Sequence, residues 1–449
     1  MKGTRHISIL GGGPAGLAVG YYARKKGIPF TLYEASSEVG GNARTLEHGG
    51  FHFDTGAHRF HDKDPEITRD ILDLLGKEIR RVDSPSQIYY QGRFVDFPLS
   101  PLNLLVTLGV HTCAKAGLEV VVSRLRKKPA GSDFESFAVK NYGRTLAKAF
   151  LLDYSEKLWG RSCAELSTRI SGRRIKGLTL GTFLKEVVRG KKAKTEHLDG
   201  SFYYPSRGIG MIAQEIARFC GRENIRTHSR VTRVLHDGHR VQAIEINGTE
   251  QVEVDRVAGT LPLPLFLEQM DPLPNREILN LARSLNYRDI LLVAVFLNKR
   301  QVTRNASVYF PSKDCLFTRV YEPKNRSLWM APEGKTSLIA EIPCSAGDPV
   351  WSQSDPKLVE AVCAKYVEVG WIRRPEVVGS AVLRMRYAYP ILEVGYEEKS
   401  EKMFGALGKF QNLGLVGRSA QFQYTHIHDL LRAGKDLVSK LSSRQDASR

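Results

Sequence analysis

Residues 6–35, HISILGGGPAGLAVGYYARKKGIPFTLYEA, constrain this chain more than any other stretch. An apolar run, a glycine cluster, a segment of helical period and a second apolar run predict strand, turn, helix and strand. The turn reads Gly11-x-Gly13-x-x-Gly16, and the second strand ends in Glu34. Gly11 permits the tight turn, Gly13 lets a pyrophosphate approach the backbone, and Gly16 lets helix pack on strand. The helix N-terminus offers free N–H groups and a positive dipole to phosphate. Glu34 is placed to accept hydrogen bonds from a ribose. An α/β fold of Rossmann-like type that binds a dinucleotide follows, with FAD and NAD both open.

A second glycine turn, Gly40-Gly41-Asn42-Ala43-Arg44, comes too soon after Glu34 to start another mononucleotide unit. Glycine suits close backbone approach, and arginine presents a planar fork to phosphate. The pair-and-arginine pattern resembles the one that follows the βαβ unit in the FAD-dependent amine oxidase and protoporphyrinogen oxidase superfamily. That resemblance implies FAD as cofactor, with Arg44 facing its pyrophosphate or flavin end. Residues 230–262 alternate apolar and polar around Asp237-Gly238 and Asn247-Gly248, which predicts a β-meander. In the family, the backbone at the position of Val231 lies along the adenine. Residues 407–441 read as strand, Gly417-Arg418, loop and helix, and the resemblance points that helix's N-terminus at the flavin pyrimidine.

At 449 residues the chain is long enough for two or three domains. The economical arrangement is a discontinuous FAD-binding domain of glutathione-reductase type, residues 1–95, 201–262 and 381–449, with an inserted α+β substrate domain. The inserts are a helical block at 96–200 and a β-rich block at 263–380. Lys+Arg outnumber Asp+Glu by 66 to 48, giving +18 and favouring anionic partners. The six cysteines are scattered, with no CxxC pair and no metal-ligand spacing, as expected of reduced thiols in a cytoplasmic protein. The first residues lead straight into a strand, with no charged-then-apolar signal pattern. LNLLVTLGVHTCAKAGLEVVVSRLRKK, 102–128, contains His111, Lys115 and Glu119. Those residues read as too polar for a membrane span, and a core-facing helix is expected rather than one resting on a membrane.

Within the inserted blocks the resemblance narrows. Gly56-Ala57-His58-Arg59-Phe60-His61 is similar to the Gly-Pro-His-x-Phe-His segment of UDP-galactopyranose mutases. Residues 134–160 resemble the mutase helix ending in Tyr-x-Glu-Lys-x-Trp-Gly, and Arg173, Tyr287-Arg288, Phe317-Thr318-Arg319 and Gly417-Arg418 with Tyr424 fall in the mutase order. The resemblance implies that Tyr154 and Trp159 contact a base or ring, and that Arg173 and Arg288 clamp a diphosphate. Phe317, Arg319 and Tyr424 would complete the substrate site, with His58 near the flavin edge. Phe317 replaces a mutase tyrosine, no tyrosine stands near Leu184, and the flavin-facing acid is either replaced by His428 or shifted to Asp429.

Two enzymatic expectations follow, and the sequence leaves both open. One is mutase chemistry, in which N5 of reduced FAD attacks the anomeric carbon of a phosphate- or nucleotide-linked sugar and the ring isomerises. The other is an oxidase or dehydrogenase that takes hydride from a small molecule. His58, Arg173 and Arg288 are the catalytic candidates. A non-enzymatic binder of nucleic acid or membrane is disfavoured, because the basic residues are dispersed rather than grouped with stacking aromatics.

Overall fold

The structure, a computed structural model, describes residues 6–97, 99, 101–125, 133–171 and 201–443. At its centre five strands lie parallel in the order Leu413–Leu415, Arg256–Gly259, Ile7–Leu10, Phe30–Tyr33 and Ile225–Arg226. Ile7–Leu10 is buried throughout, as a central parallel strand covered on both faces must be. The helix Pro14–Lys25 covers one face, and the C-terminal helix Ile427–Ser443 packs on it. Gly434 makes that packing possible, since a Cβ there would stand 2.6 Å from Ala18 Cβ. The expected meander is present as Val231–His236, Val241–Ile246 and Glu250–Glu253.

The second body is a seven-stranded sheet, ordered Val377–Pro390, Tyr287–Leu297, Thr336–Cys344, Arg319–Tyr321, Ser307–Tyr309, Ser86–Tyr90 and Arg93–Phe97. Its strand Tyr287–Leu297 is almost wholly buried, and its side chains alternate between two cores. Leu291, Val293 and Val295 join the helix Asp355–Glu368 through Leu358 and Val362, whereas Leu292, Ala294 and Phe296 face Phe51 and Phe53. Phe51 and Phe296 stack at 4.6 Å. Each such ring withdrawn from water contributes roughly 2–3 kcal/mol, which ties the hairpin Thr45–His48 and Phe51–Asp54 to this sheet.

The topology moves two expected boundaries. Ser86–Tyr90 pairs in parallel with Ser307–Tyr309, and Val377–Pro390 pairs along Tyr287–Leu297, so both belong to the substrate sheet rather than to the cofactor domain. The helix Pro101–Leu125 also departs from expectation. It is neither core-facing nor too polar: Asn103–Ser123 has a mean hydropathy of 1.4, long and apolar enough by composition to cross a membrane, and only 11% of its most apolar window is buried. Its polar Glu119 turns inward to the neighbouring helix, which leaves its apolar side outside. All six cysteines are free thiols.

Candidate functional site

The two glycine turns lie against each other. Gly40 N–H donates to the Gly12 carbonyl at 2.8 Å, and a Cβ on Gly41 (φ 52°) would stand 3.1 Å from Gly13 Cα. Gly16 is fixed just as firmly, since its Cβ would sit 1.9 Å from the Gly11 carbonyl oxygen. Gly11 adopts φ 106° beneath Thr260, and Gly417 adopts φ 119° with Ala15 in contact range. Glu34 accepts from Gly12 N–H at 2.7 Å and from Ser36, so its carboxylate closes over the loop. Ser229 N–H donates to the Glu34 carbonyl at 2.8 Å, which sets Val231, at the head of the meander, beside the acid.

This cradle fits FAD. Gly13 heads the helix Pro14–Lys25 without any side-chain cap, and the first turn holds no acid, so its N–H groups suit a pyrophosphate. Arg44 Nε is buried with no hydrogen-bond partner, an orphaned donor next to the paired glycines.

Beyond Arg44 the chain reaches His58. Its ring Nε2 lies 2.8 Å from the Asn42 carbonyl. A carbonyl only accepts, so Nε2 carries the proton and Nδ1 is left as an acceptor. Burial, then the charges of Arg418, Arg319 and Arg326, push the His58 pKa down to about 3, against the Asn42 bond. His58 is therefore neutral at physiological pH. Its backbone is held from below: Arg326 donates to the His58 carbonyl at 3.1 Å and to Ala306 at 3.1 Å, beside a fully buried Asp54. Asp54 also accepts from Thr45, Tyr204 and Ile209 N–H, and its carboxyl is raised from the usual range chiefly by burial.

Two groups of aromatic rings gather around Arg319 and Arg418. Trp159 meets Tyr389 edge-on at 6.0 Å and Tyr424 at 6.4 Å, and Tyr389 lies 5.8 Å from Tyr424. Tyr154 meets Tyr309 at 6.0 Å, and the Arg319 guanidinium lies 6.0 Å from the same ring. Tyr387, two residues before Tyr389, takes φ 54°, a strained setting for a bulky residue and one that clusters at functional sites. Arg418 donates to the Thr425 carbonyl and lies over Tyr389 and Tyr424 at 5.5 and 5.2 Å, holding both rings.

Several expected roles change. Arg288 does not stand ready for a diphosphate: its five N–H groups reach the carbonyls of Leu158, Lys157 and Pro343, the Ser345 hydroxyl and the Asp348 carboxylate. It staples the Trp159 helix to the sheet, and Gly160 is bare because a Cβ would meet the guanidinium at 2.7 Å. Lys157 adds a second pin, its ammonium lying within 3.1 Å of four backbone carbonyls on residues 310–317. Phe317 is fully buried against Phe310 and Tyr366, so it is core and not a substrate contact. Asp429 turns back to accept from His426 N–H at 2.9 Å and pairs with His428, and the inward place belongs to His428, buried near His61. Arg173 lies outside the described residues, as does Leu184.

Arg319 does come to the site, but with a partner the sequence reading missed. Glu341 accepts from Arg319 Nε at 2.7 Å and from Ala57 N–H at 2.7 Å. The available signal was one acid in the otherwise apolar strand TSLIAEIPC, where a charge is retained only if paired.

The sequence profile of flavin containing amine oxidoreductases matches residues 14–370. The chain belongs to that family. It is an FAD-dependent enzyme of the flavin oxidoreductase superfamily. It is 22% identical to coproporphyrinogen III oxidase of Bacillus subtilis (strain 168), across 97% of this chain and 98% of that protein. It is 22% identical to the zeta-carotene-forming phytoene desaturase of Myxococcus xanthus, across 82% and 78%. Among solved structures, reduced UDP-galactopyranose mutase superposes with a TM-score of 0.86 at 19% identity, covering 99% of this chain and 96% of that one. A putative protoporphyrinogen oxidase from Exiguobacterium sp. 255-15 superposes at 0.77 with 17% identity, covering 99% and 100%.

Proposed function

We propose that the enzyme is an oxidoreductase that takes hydride from a carbon-bound hydrogen of a planar, conjugated small molecule. One observation carries this reading. The rings around Arg319 and Arg418, Tyr154 with Tyr309 and Tyr389 with Tyr424 over the buried Trp159, are aromatic, while Arg288 and Arg319 are already occupied by the chain's own groups. Aromatic faces suit a planar apolar ligand, and a cation paired by a buried carboxylate gives little to a diphosphate. Bound FAD supplies either a two-electron acceptor for a substrate C–H bond or, once reduced, a nucleophile toward an anomeric carbon. The chain's own residues orient substrate and shield it. Tyr389 and Tyr424 present ring surface over the buried Trp159, Arg418 fixes the loop that carries Tyr424, and His58, held neutral, offers its Nδ1 as a hydrogen-bond acceptor without adding charge. The names of two relatives matched over most of their length, an oxidase and a desaturase, support the same reading.

A redox-neutral mutase acting on a nucleotide-linked sugar is the second reading, supported by the 0.86 superposition and by the resemblance of the Tyr154, Trp159 and Tyr424 sequence segments to the mutase pattern. Titration of flavin fluorescence separates the two. An uncharged conjugated tetrapyrrole or polyene perturbs the signal under the first reading, and uridine diphosphate does so under the second.

A further inference from the structure

Over residues 103–123 the outward face of the helix Pro101–Leu125 is mostly apolar, interrupted by the exposed His111 and Lys115, and carries no acid. Beyond a kink at Gly109 (φ 79°, ψ 160°), Val110, Leu118, Val121 and Val122 are 74%, 65%, 50% and 39% exposed. Their spacing of i, i+8, i+11 and i+12 puts them on one stripe. The inward face is committed: Ala116 and Val120 are buried, and Glu119 accepts from the Thr145 N–H and hydroxyl, both at 2.8 Å. Glu119 is the sole acid in 101–128, against Lys115, Arg124, Arg126, Lys127 and Lys128 in the sequence.

We propose that this helix docks the enzyme on the surface of an anionic lipid bilayer, its stripe set among the headgroups and upper acyl chains. An apolar stripe with Lys115 at its edge, followed in the sequence by a basic run and with its one carboxylate turned into the protein, has the chemistry of an interfacial helix. Lying flat is favoured over crossing. Residues 110–125 span about 24 Å of helix, short of the roughly 30 Å hydrocarbon core, and the kink at Gly109 breaks the line of the preceding turns. A second copy of the chain fits less well, because an antiparallel two-fold pairing about the middle of the helix would bring the two Lys115 ammonium groups together.

The test is flotation of the full FAD-loaded chain with vesicles of phosphatidylcholine alone or of phosphatidylcholine with phosphatidylglycerol. Binding to the anionic vesicles is expected to exceed binding to the neutral ones roughly tenfold and to weaken as salt is raised. The variant Leu118→Asp with Val121→Asp changes only exposed positions, and is expected to lose flotation while keeping its flavin content and melting temperature. Equal flotation of parent and variant overturns the proposal, as does an absence of parent flotation. Attachment that survives both high salt and an alkaline wash, the mark of a spanning helix, overturns it too. So does a parent dimer that the variant abolishes without any lipid binding.

Discussion

Glu341 grips Arg319 with one carboxylate oxygen, Nε at 2.7 Å and the terminal nitrogen at 2.6 Å, and holds the Ala57 N–H with the other at 2.7 Å. One acid on the substrate sheet thus neutralises the site's cation and sets the backbone that carries His58. Both side chains are largely withdrawn from water, at 13% and 5% exposure.

Glu341→Gln keeps an acceptor for Ala57 but leaves the Arg319 charge without its counter-ion. Breaking such a pair from one side costs about 3–5 kcal/mol, so the urea midpoint is expected to fall. Affinity for small anions is expected to rise as Arg319 is released. A variant with parental stability and no new anion affinity would show that the pair is not buried as described.

The pKa of His58, lowered to about 3 from an ordinary value of 6.5, has a consequence with a definite sign. Between those two values the unfolded chain binds more protons at this residue than the folded one, so stability is lost as pH falls from 6.5 toward 3 and none of this loss occurs above 6.5. His58→Gln is expected to flatten that stretch of a melting-temperature profile. An unchanged acid slope would place the lability elsewhere.

Arg44 is expected to matter through its unused Nε. Arg44→Ala should weaken FAD binding roughly 10–100-fold, the range for a charge-assisted bond, with Arg44→Lys in between because a point charge replaces the fork. Fluorescence-monitored reconstitution of the apoprotein measures this. Parental affinity in Arg44→Ala would remove this residue from the cofactor site.

Lys157→Met keeps the length of the side chain while orphaning carbonyls on 310–317. Stability is expected to drop by about 2–3 kcal/mol, with substrate affinity also reduced because the Tyr154–Trp159 helix loses its pin. Chemical denaturation and ligand titration report the two effects separately.

What the sequence carried best was local. The strand–turn–helix–strand of 7–33 and the meander from Val231 rest on short-range period and glycine placement, and both are present as expected. What it could not carry was which partner a side chain finds across the fold. Arg288 reads as a free cation beside a strand, yet its partners lie on residues 157–158 and 343–348. Phe317 occupies a site position in the pattern and a core position in space, because the ring packs against a helix about fifty residues later. The hairpin at 86–97 joins a sheet whose other strands begin at Tyr287, so no local signal assigns it to a domain. The helix Pro101–Leu125 is apolar on both faces, and periodicity alone does not say which face the protein covers.

The most direct test of the oxidoreductase reading is an anaerobic half-reaction followed by the flavin absorbance. Oxidised enzyme mixed with a partly saturated polyene is expected to lose the oxidised-flavin band, with one desaturated product bond formed for each flavin reduced. Dithionite-reduced enzyme mixed with UDP-galactopyranose is expected to return the sugar nucleotide unchanged. Conversion of that sugar nucleotide to its ring isomer by the reduced enzyme, with no bleaching by any C–H donor, would contradict the account.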